Sequence, residues 1–421
     1  MTAAPSAPPD FDVLDPRFHD DPWAVYRWLR RHAPVFWDER NELWLVSGHV
    51  EVSHVSRNPQ VYSSARGVRP GMDVPMSIIG MDDPEHTRQR RLINRGFTPR
   101  RVREITGHMR ELTSGLIDDI ASRGEIDFVG DFAIHLPLII IAELIGLDPT
   151  QRDRLYRWSD AMVGGDGRSD PDDPALVAAA TAFGEYAAMC SELIDARRGH
   201  PVADDLISIL SNAYDEGALA NDGTDGGFLS DASEETDIEG TLTNDELFMF
   251  LCLLVVAGNE TTRNALTGAL LAFSRFPDQR RALADRPELI DSAVDEVIRY
   301  VSPVISFMRT VTTTHEYEGL TLEEGQQVLL LYQSANRDET VFDAPDEFRI
   351  DRSPNPHVGF GVGTHYCLGA SLARAELDVA LTELLRRLPD IRVPEGAEVR
   401  RGDSTLVIAL QYVPAVFTPT E

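Results

Sequence analysis

Residues Phe360-Gly361-Val362-Gly363-Thr364-His365-Tyr366-Cys367-Leu368-Gly369 decide how the rest of the chain is read, and Ala370-Ser371-Leu372-Ala373-Arg374-Ala375-Glu376 follows directly as a helix start. A cysteine at such a boundary meets unpaired backbone N–H groups and the positive end of the helix dipole. Both stabilise its thiolate, which is the metal-binding form. Gly363 and Gly369 let the backbone approach a flat macrocycle, where a Cβ would clash. Phe360 is placed to keep water from the sulfur. Cys190 and Cys252 stand in no such context and read as small buried hydrophobes.

Three cysteines this far apart, without a C-x-x-C pair, make neither a disulfide framework nor a zinc site, and they suit a reducing compartment. The 421 residues are 43% hydrophobic, enough for a large core. With 69 acids against 39 bases the net charge is −30, which weighs against nucleic acid or an anionic membrane surface as a partner. Every base is arginine, so a lysine Schiff base is excluded. Met1 to Pro9 has neither the basic nor the apolar region of a signal peptide. The apolar runs Leu136–Ile145 and Leu247–Ala257 are too short or too interrupted to span a bilayer. A soluble, monomeric, cytoplasmic protein is expected.

Outward from the cysteine, the chain reads as mainly α with a smaller β region. Residues 1–20 are expected to form a flexible arm, and 21–421 a single unit. Pro22–His32 reads as helix and Phe36–Val46 as strand around a polar turn; residues 62–80 read as a long loop, and helical patterns dominate from Glu85 to about residue 300. Residues 215–240 hold nine acids and no base, the mark of a solvated, mobile insertion. Then Thr243-Asn244-Asp245-Glu246 forms a capping box, opening a helix from about Asn244 to Arg275 that Pro277 ends. At about 1.5 Å per residue it spans roughly 48 Å, the width of a domain. Strands are expected only near Phe307–Thr313, Val328–Tyr332 and Thr405–Phe417.

Phe360, Gly363, His365, Cys367 and Gly369 occupy every fixed position of F-x-x-G-x-H-x-C-x-G, which resembles the haem-binding signature of the cytochrome P-450 superfamily. The resemblance covers about residues 20–418. It implies that fold, with a long central helix over a haem b and Cys367 as the iron's axial thiolate, in contact with Phe360, Gly361, Gly369 and Ala257. Ala257-Gly258-Asn259-Glu260-Thr261-Thr262 looks like the family's oxygen-binding kink. Gly258 would permit local opening of the helix, Thr261 would turn its hydroxyl to a backbone carbonyl, and Glu260 would relay protons from solvent. Glu296-x-x-Arg299, with Arg352 after Pro345-Asp346-Glu347-Phe348, matches the family's buried structural triad. The resemblance assigns the haem propionates to His86, Arg90, Arg309 and His365, and leaves His357 a structural role.

Arg88, Arg90, Arg91, Arg95, Arg100, Arg101 and Arg103 form the one dense basic stretch of an acidic chain. The family takes electrons from an acidic iron–sulfur ferredoxin and its reductase, so this stretch is the expected docking face. Gly80–His86, Val255–Asn264 and Ser334–Glu339 look most like actinobacterial enzymes that oxidise sterol side chains or methyl-branched lipids. Pocket candidates are Met72, Val74, Met76, Ile78 and Ile79 in the loop, then Val255, Ala257 and Thr261. Val304, Ile305, Phe307, Leu406 and Val407 complete the set, nearly all apolar. The implied activity is O2-dependent hydroxylation of an unactivated C–H bond. The alternatives are a macrolide or terpene tailoring oxidase and a non-catalytic haem-thiolate sensor.

Overall fold

The capping box forms as its spacing predicts. The Thr243 hydroxyl accepts from the Glu246 N–H at 3.2 Å, and the Glu246 carboxylate accepts from the Thr243 N–H at 2.9 Å. In the computed structural model of the chain the helix so opened runs unbroken from Asn244 to Arg275, and Pro277 begins the next one. The structure describes residues 10–71, 77–164, 172–198, 205–211 and 242–420. The acidic stretch 215–240 and the pocket candidates Met72, Val74 and Met76 lie outside them.

The helices in chain order are α1 (Trp23–His32), α2 (His49–Arg57), α3 (Glu85–Asn94), α4 (Pro99–Ala121), α5 (His135–Ile145), α6 (Arg152–Gly164), α7 (Pro174–Arg197), α8 (Leu206–Ser211), α9 (Asn244–Arg275), α10 (Pro277–Asp285), α11 (Ile290–Val301), α12 (Tyr332–Ala335) and α13 (Ala370–Arg387). Of the strands, β1 (Val35–Asp38), β2 (Leu43–Val46), β3 (Tyr62–Ser63), β5 (Ser306–Val311) and β8 (Gln327–Leu331) make one sheet in the order β1-β2-β8-β5-β3. The smaller pairs are β4 (Glu125–Asp127) with β11 (Pro414–Val416), β6 (His315–Tyr317) with β7 (Leu320–Leu322), and β9 (Arg400–Arg401) with β10 (Leu410–Tyr412). Every pairing is antiparallel except β2 with β8, where Leu43 lies beside Gln327.

The main core is helical, with α9 through its middle in contact with α5, α7, α11 and α13. The apolar run 136–145 becomes α5, and Gly146 ends it at φ 84°, the left-handed position that glycine adopts most cheaply. Among the described residues no helix is long and apolar enough to cross a membrane.

The expectation of a loose arm to residue 20 is corrected from about residue 11 onward. Val13 and His19 are buried, Phe11 packs on Phe18 and Phe36, and Arg401 donates to the His19 carbonyl at 2.6 Å. Burial lowers the His19 ring to about 4, so it stays neutral and bonds the Val13 carbonyl at 3.0 Å. Aromatic side chains, which bury more area than their number suggests, hold this segment down.

Candidate active site

A cavity separates α9 from the segment 359–369 and the start of α13. Phe250, Leu253, Leu254, Ala257, Gly258 and Thr261 line the α9 wall. Their spacing of three and four residues puts them on one helix face. Phe360, Gly361, Cys367, Leu368 and Gly369 line the opposite wall.

Cys367 stands three residues before the start of α13, at the helix boundary its flanks suggested. Its N–H donates to the Phe360 carbonyl at 2.8 Å, which folds the loop back on itself. Burial pushes the thiol up, while the Gly369 N–H and the charges of Arg90 and Arg374 act the other way. Arg374 is fixed over the Phe360 ring at 4.5 Å and by Asp295 at 2.9 Å. His357 stands 3.4 Å from the same Asp295 and packs beside Phe360. A free thiol here is neutral; the surrounding donors favour an anion once a metal takes the proton's place.

The glycines divide differently from expectation. A Cβ on Gly369 would meet nothing within 4 Å, so this glycine leaves room on the cavity side. A Cβ on Gly363 would come within 2.6 Å of the Ser56 carbonyl oxygen, so that glycine admits α2 rather than a macrocycle. Gly258 serves packing as well: a Cβ there would fall 2.3 Å from Ile141 of α5, and α9 is unbroken around it.

At the cavity's edge Arg90, Arg309 and His365 converge, with the His86 ring tilted against His365 at 4.4 Å between ring centroids. Arg90 donates to the Tyr366 carbonyl, Arg309 to the Met308 carbonyl at 2.8 Å, and His365 lies 3.2 Å from the Ser64 hydroxyl. Both ring nitrogens of the buried His86 lack a hydrogen-bond partner. Burial first, then the neighbouring arginines, lowers His86 and takes His365 down to about 2. Two guanidinium groups beside two neutral imidazoles, one of them without a hydrogen bond, form a site that an anion would complete. Together with the cradle at Gly369, this suits a flat group with carboxylates at its rim.

On α9, Thr261 donates its hydroxyl to the Ala257 carbonyl at 2.7 Å and lines the cavity. Glu260 does not line it. Its carboxylate accepts from Arg263 and lies 3.4 Å from the Asn264 amide, in a buried network continued by Asn264 accepting the Leu410 N–H at 2.8 Å. Burial raises the Glu260 carboxyl and Arg263 opposes the rise.

Glu296, Arg299 and Arg352 meet in the interior. Arg299 grips Glu296 through two bonds of 2.7 Å and also donates to the carbonyls of Asn336, Pro345 and Glu347 at 2.9 Å. Arg352 donates to Glu296 at 3.1 Å and to the Asp343 carbonyl at 2.6 Å. The three side chains thereby tie α11 to the segment 336–352, which leads toward Cys367.

Of the described pocket candidates, Ile78, Ile79, Ala257, Thr261, Val304 and Phe307 line the cavity; Val255, Ile305, Leu406 and Val407 do not. Val255 lies off the α9 stripe and is wholly buried. Ile305 is held at the sheet's end, its N–H on the Leu406 carbonyl and its own carbonyl accepting from Tyr332. Val407 pairs with Val304 in an isolated bridge, which explains why this hairpin supports the wall without forming it. Sequence reasoning missed Phe97, Ile141, Phe250, Leu253 and Leu254. Extending the helix stripe back from Ala257 finds the last three, whereas Phe97 and Ile141 arrive from other helices without a local signal.

The family model for cytochrome P450 matches residues 221–415. A steroid C26-monooxygenase of Mycolicibacterium smegmatis is 38% identical over 414 residues, covering 98% of this chain and 97% of the relative. A steroid C26-monooxygenase of Mycobacterium tuberculosis is 38% identical over 417 residues, covering 98% of each. Among solved structures, a Bacillus megaterium cytochrome P450 in complex with corticosterone has a TM-score of 0.80 at 30% identity, covering 94% of this chain and 98% of that one. The cytochrome P450 of the Bacillus subtilis bacillaene polyketide synthase has a TM-score of 0.83 at 30% identity, covering 97% and 100%.

Proposed function

From the premise that the chain belongs to the cytochrome P450 family of haem-thiolate monooxygenases, we propose that it hydroxylates an unactivated C–H bond of a sterol side chain or methyl-branched lipid. One observation carries the reading: Cys367 faces the α9 stripe across a cavity whose lining beyond the cationic rim is almost wholly apolar. The similarity to steroid C26-monooxygenases adds the substrate class. Haem, when bound, supplies the activation of O2 that puts one oxygen atom into the C–H bond.

The chain's own residues set the conditions. With haem bound, Cys367 would hold the iron, and His86, Arg90, Arg309 and His365 would pair with the propionates. Thr261 lines the α9 wall of the cavity, and Glu260 would hold a proton in the buried network beside it. Ile78, Ile79, Phe250, Leu254 and Phe307 exclude water and seat an apolar substrate. Reduction under carbon monoxide gives a strongly red-shifted Soret band if Cys367 is the thiolate ligand, and Cys367→Ser abolishes the band and the oxygenase activity together. An unshifted band in the native enzyme refutes the assignment. Spin-state shifts with sterols or branched lipids, and none with macrolides or terpenes, test the substrate class.

The electron donor in this reading is a ferredoxin, with the enzyme working in the cytoplasm. Not all of the basic stretch is available to it: Arg88 pairs with Glu246, Arg90 reaches the cavity, and Arg100 bonds Glu104 at 2.9 Å. Arg91 and Arg103 are exposed and suit the docking of an acidic partner. Reversing both to glutamate lowers the ferredoxin-supported rate about tenfold at low salt and little at high salt. An unchanged low-salt rate sinks the docking assignment.

A further inference from the structure

Asp82 and Asp83 stand side by side ahead of α3, yet their carboxylates serve different elements. Asp83 is exposed and serves its own helix: it accepts from the Thr87 N–H at 3.2 Å and from the Thr87 hydroxyl, and lies 3.7 Å from the His86 ring. Such bonds are local to a helix start. Asp82 reaches across to β3 instead. One carboxylate oxygen accepts the Ser63 hydroxyl at 2.5 Å and the other the Ser64 N–H at 2.8 Å. Its carbonyl accepts the His86 N–H at 3.0 Å, so this one residue joins β3 to the first turn of α3.

Both serines lead to the cationic rim. Ser64 is buried, and its hydroxyl lies 3.2 Å from His365. Ser63 pairs with Thr310 on β5, the neighbour of Arg309. The Ser63 hydroxyl also accepts the Ala65 N–H at 3.0 Å, which leaves its own hydrogen for Asp82. Burial works against the Arg309 charge, while Tyr332 and then Asp82 favour it. The Asp82 carboxylate thus fixes the turn that aims Ser64 and puts a negative charge behind a buried guanidinium, where screening by salt is weak.

We propose that Asp82 is a positioning residue of the haem site, holding Ser64 against His365 and placing a fixed negative charge behind Arg309 that sets the haem's reduction potential. A negative charge near the iron favours its oxidised state, which carries one more positive charge. Asp82 therefore keeps the potential down, and the Ser64 contact slows the departure of the haem. The inference rests on the reading that the cavity holds a haem on Cys367.

Substitutions separate the charge from the contact. Asp82→Asn removes the charge and keeps both bonds, because the Ser63 hydroxyl can accept from an amide. In potentiometric titration of the haem-loaded enzyme it should favour the ferrous form about threefold, about 28 mV for one electron. Asp82→Ala removes the bonds as well; it should show the same shift and lose haem to an acceptor protein about threefold faster or more. Ser64→Ala keeps the carboxylate and should speed haem loss alone, which serves if Asp82→Ala fails to fold. A merely structural role would move the unfolding midpoint and leave the potential where it was. An unchanged potential in Asp82→Asn, or haem loss no faster in Asp82→Ala and Ser64→Ala, overturns the proposal. Loss of the red-shifted carbon monoxide band in the native enzyme would instead overturn the functional reading beneath it.

Discussion

Two buried polar clusters in this protein are built on opposite principles. Around Glu296 every charge has a partner: Arg299 and Arg352 share one carboxylate and spend their other donors on carbonyls, with the Arg349 N–H at 2.8 Å and the Asn355 amide at 3.3 Å completing the acceptor side. At the cavity rim, Arg90 and Arg309 stand beside two imidazoles, and His86 has no hydrogen bond to either nitrogen. A saturated cluster is part of the fold; an open one waits for something the chain does not supply. Both contain arginines, and their difference lies wholly in the partners.

The comparison breaks first at Glu296. Glu296→Gln leaves two guanidinium groups buried without a counter-charge, an expected loss of about 3–5 kcal/mol by chemical denaturation. A loss under about 1 kcal/mol would place it among ordinary surface pairs and remove the contrast. Arg309→Gln should behave in the opposite sense: removing an under-partnered, desolvated charge leaves the haem-free chain as stable or more so. Haem transfer to an acceptor protein should meanwhile quicken about tenfold or more, for the loss of one charge-assisted contact. If stability fell and haem retention did not change, the rim would be structural after all. The smallest effect is expected at Gly369. Its Cβ would meet nothing within 4 Å, so Gly369→Ala should change the unfolding free energy of the haem-free chain by less than about 0.5 kcal/mol while haem binding weakens.

Much of this was legible because the signals are local. The capping box and Pro277 set the limits of α9, and the motif around Cys367 marked the start of α13, since caps and prolines act within a turn of themselves. What could not be read depends on a neighbour far along the chain. Gly258 faces Ile141, and Gly363 faces Ser56; nothing near either glycine in sequence announces the partner. Val255 is a pocket candidate by its place on the central helix, but the facing direction of a helix residue is settled by what packs there. Which of the clustered arginines already hold a carboxylate is likewise set by distant partners, as with Arg88 and Glu246.

The parallel pairing of β2 with β8 sets an order of events. Leu43 and Gln327 are about 280 residues apart, so closing that pair demands the costliest loop in the sheet. During synthesis β1 and β2 emerge as a hairpin with one edge unpaired, and that edge stays open until most of the chain has followed. Cys367 lies later still. An emerging chain therefore presents the α9 wall and Arg90 long before the loop that faces them exists, and the enclosure for the cofactor becomes whole only once that loop has followed.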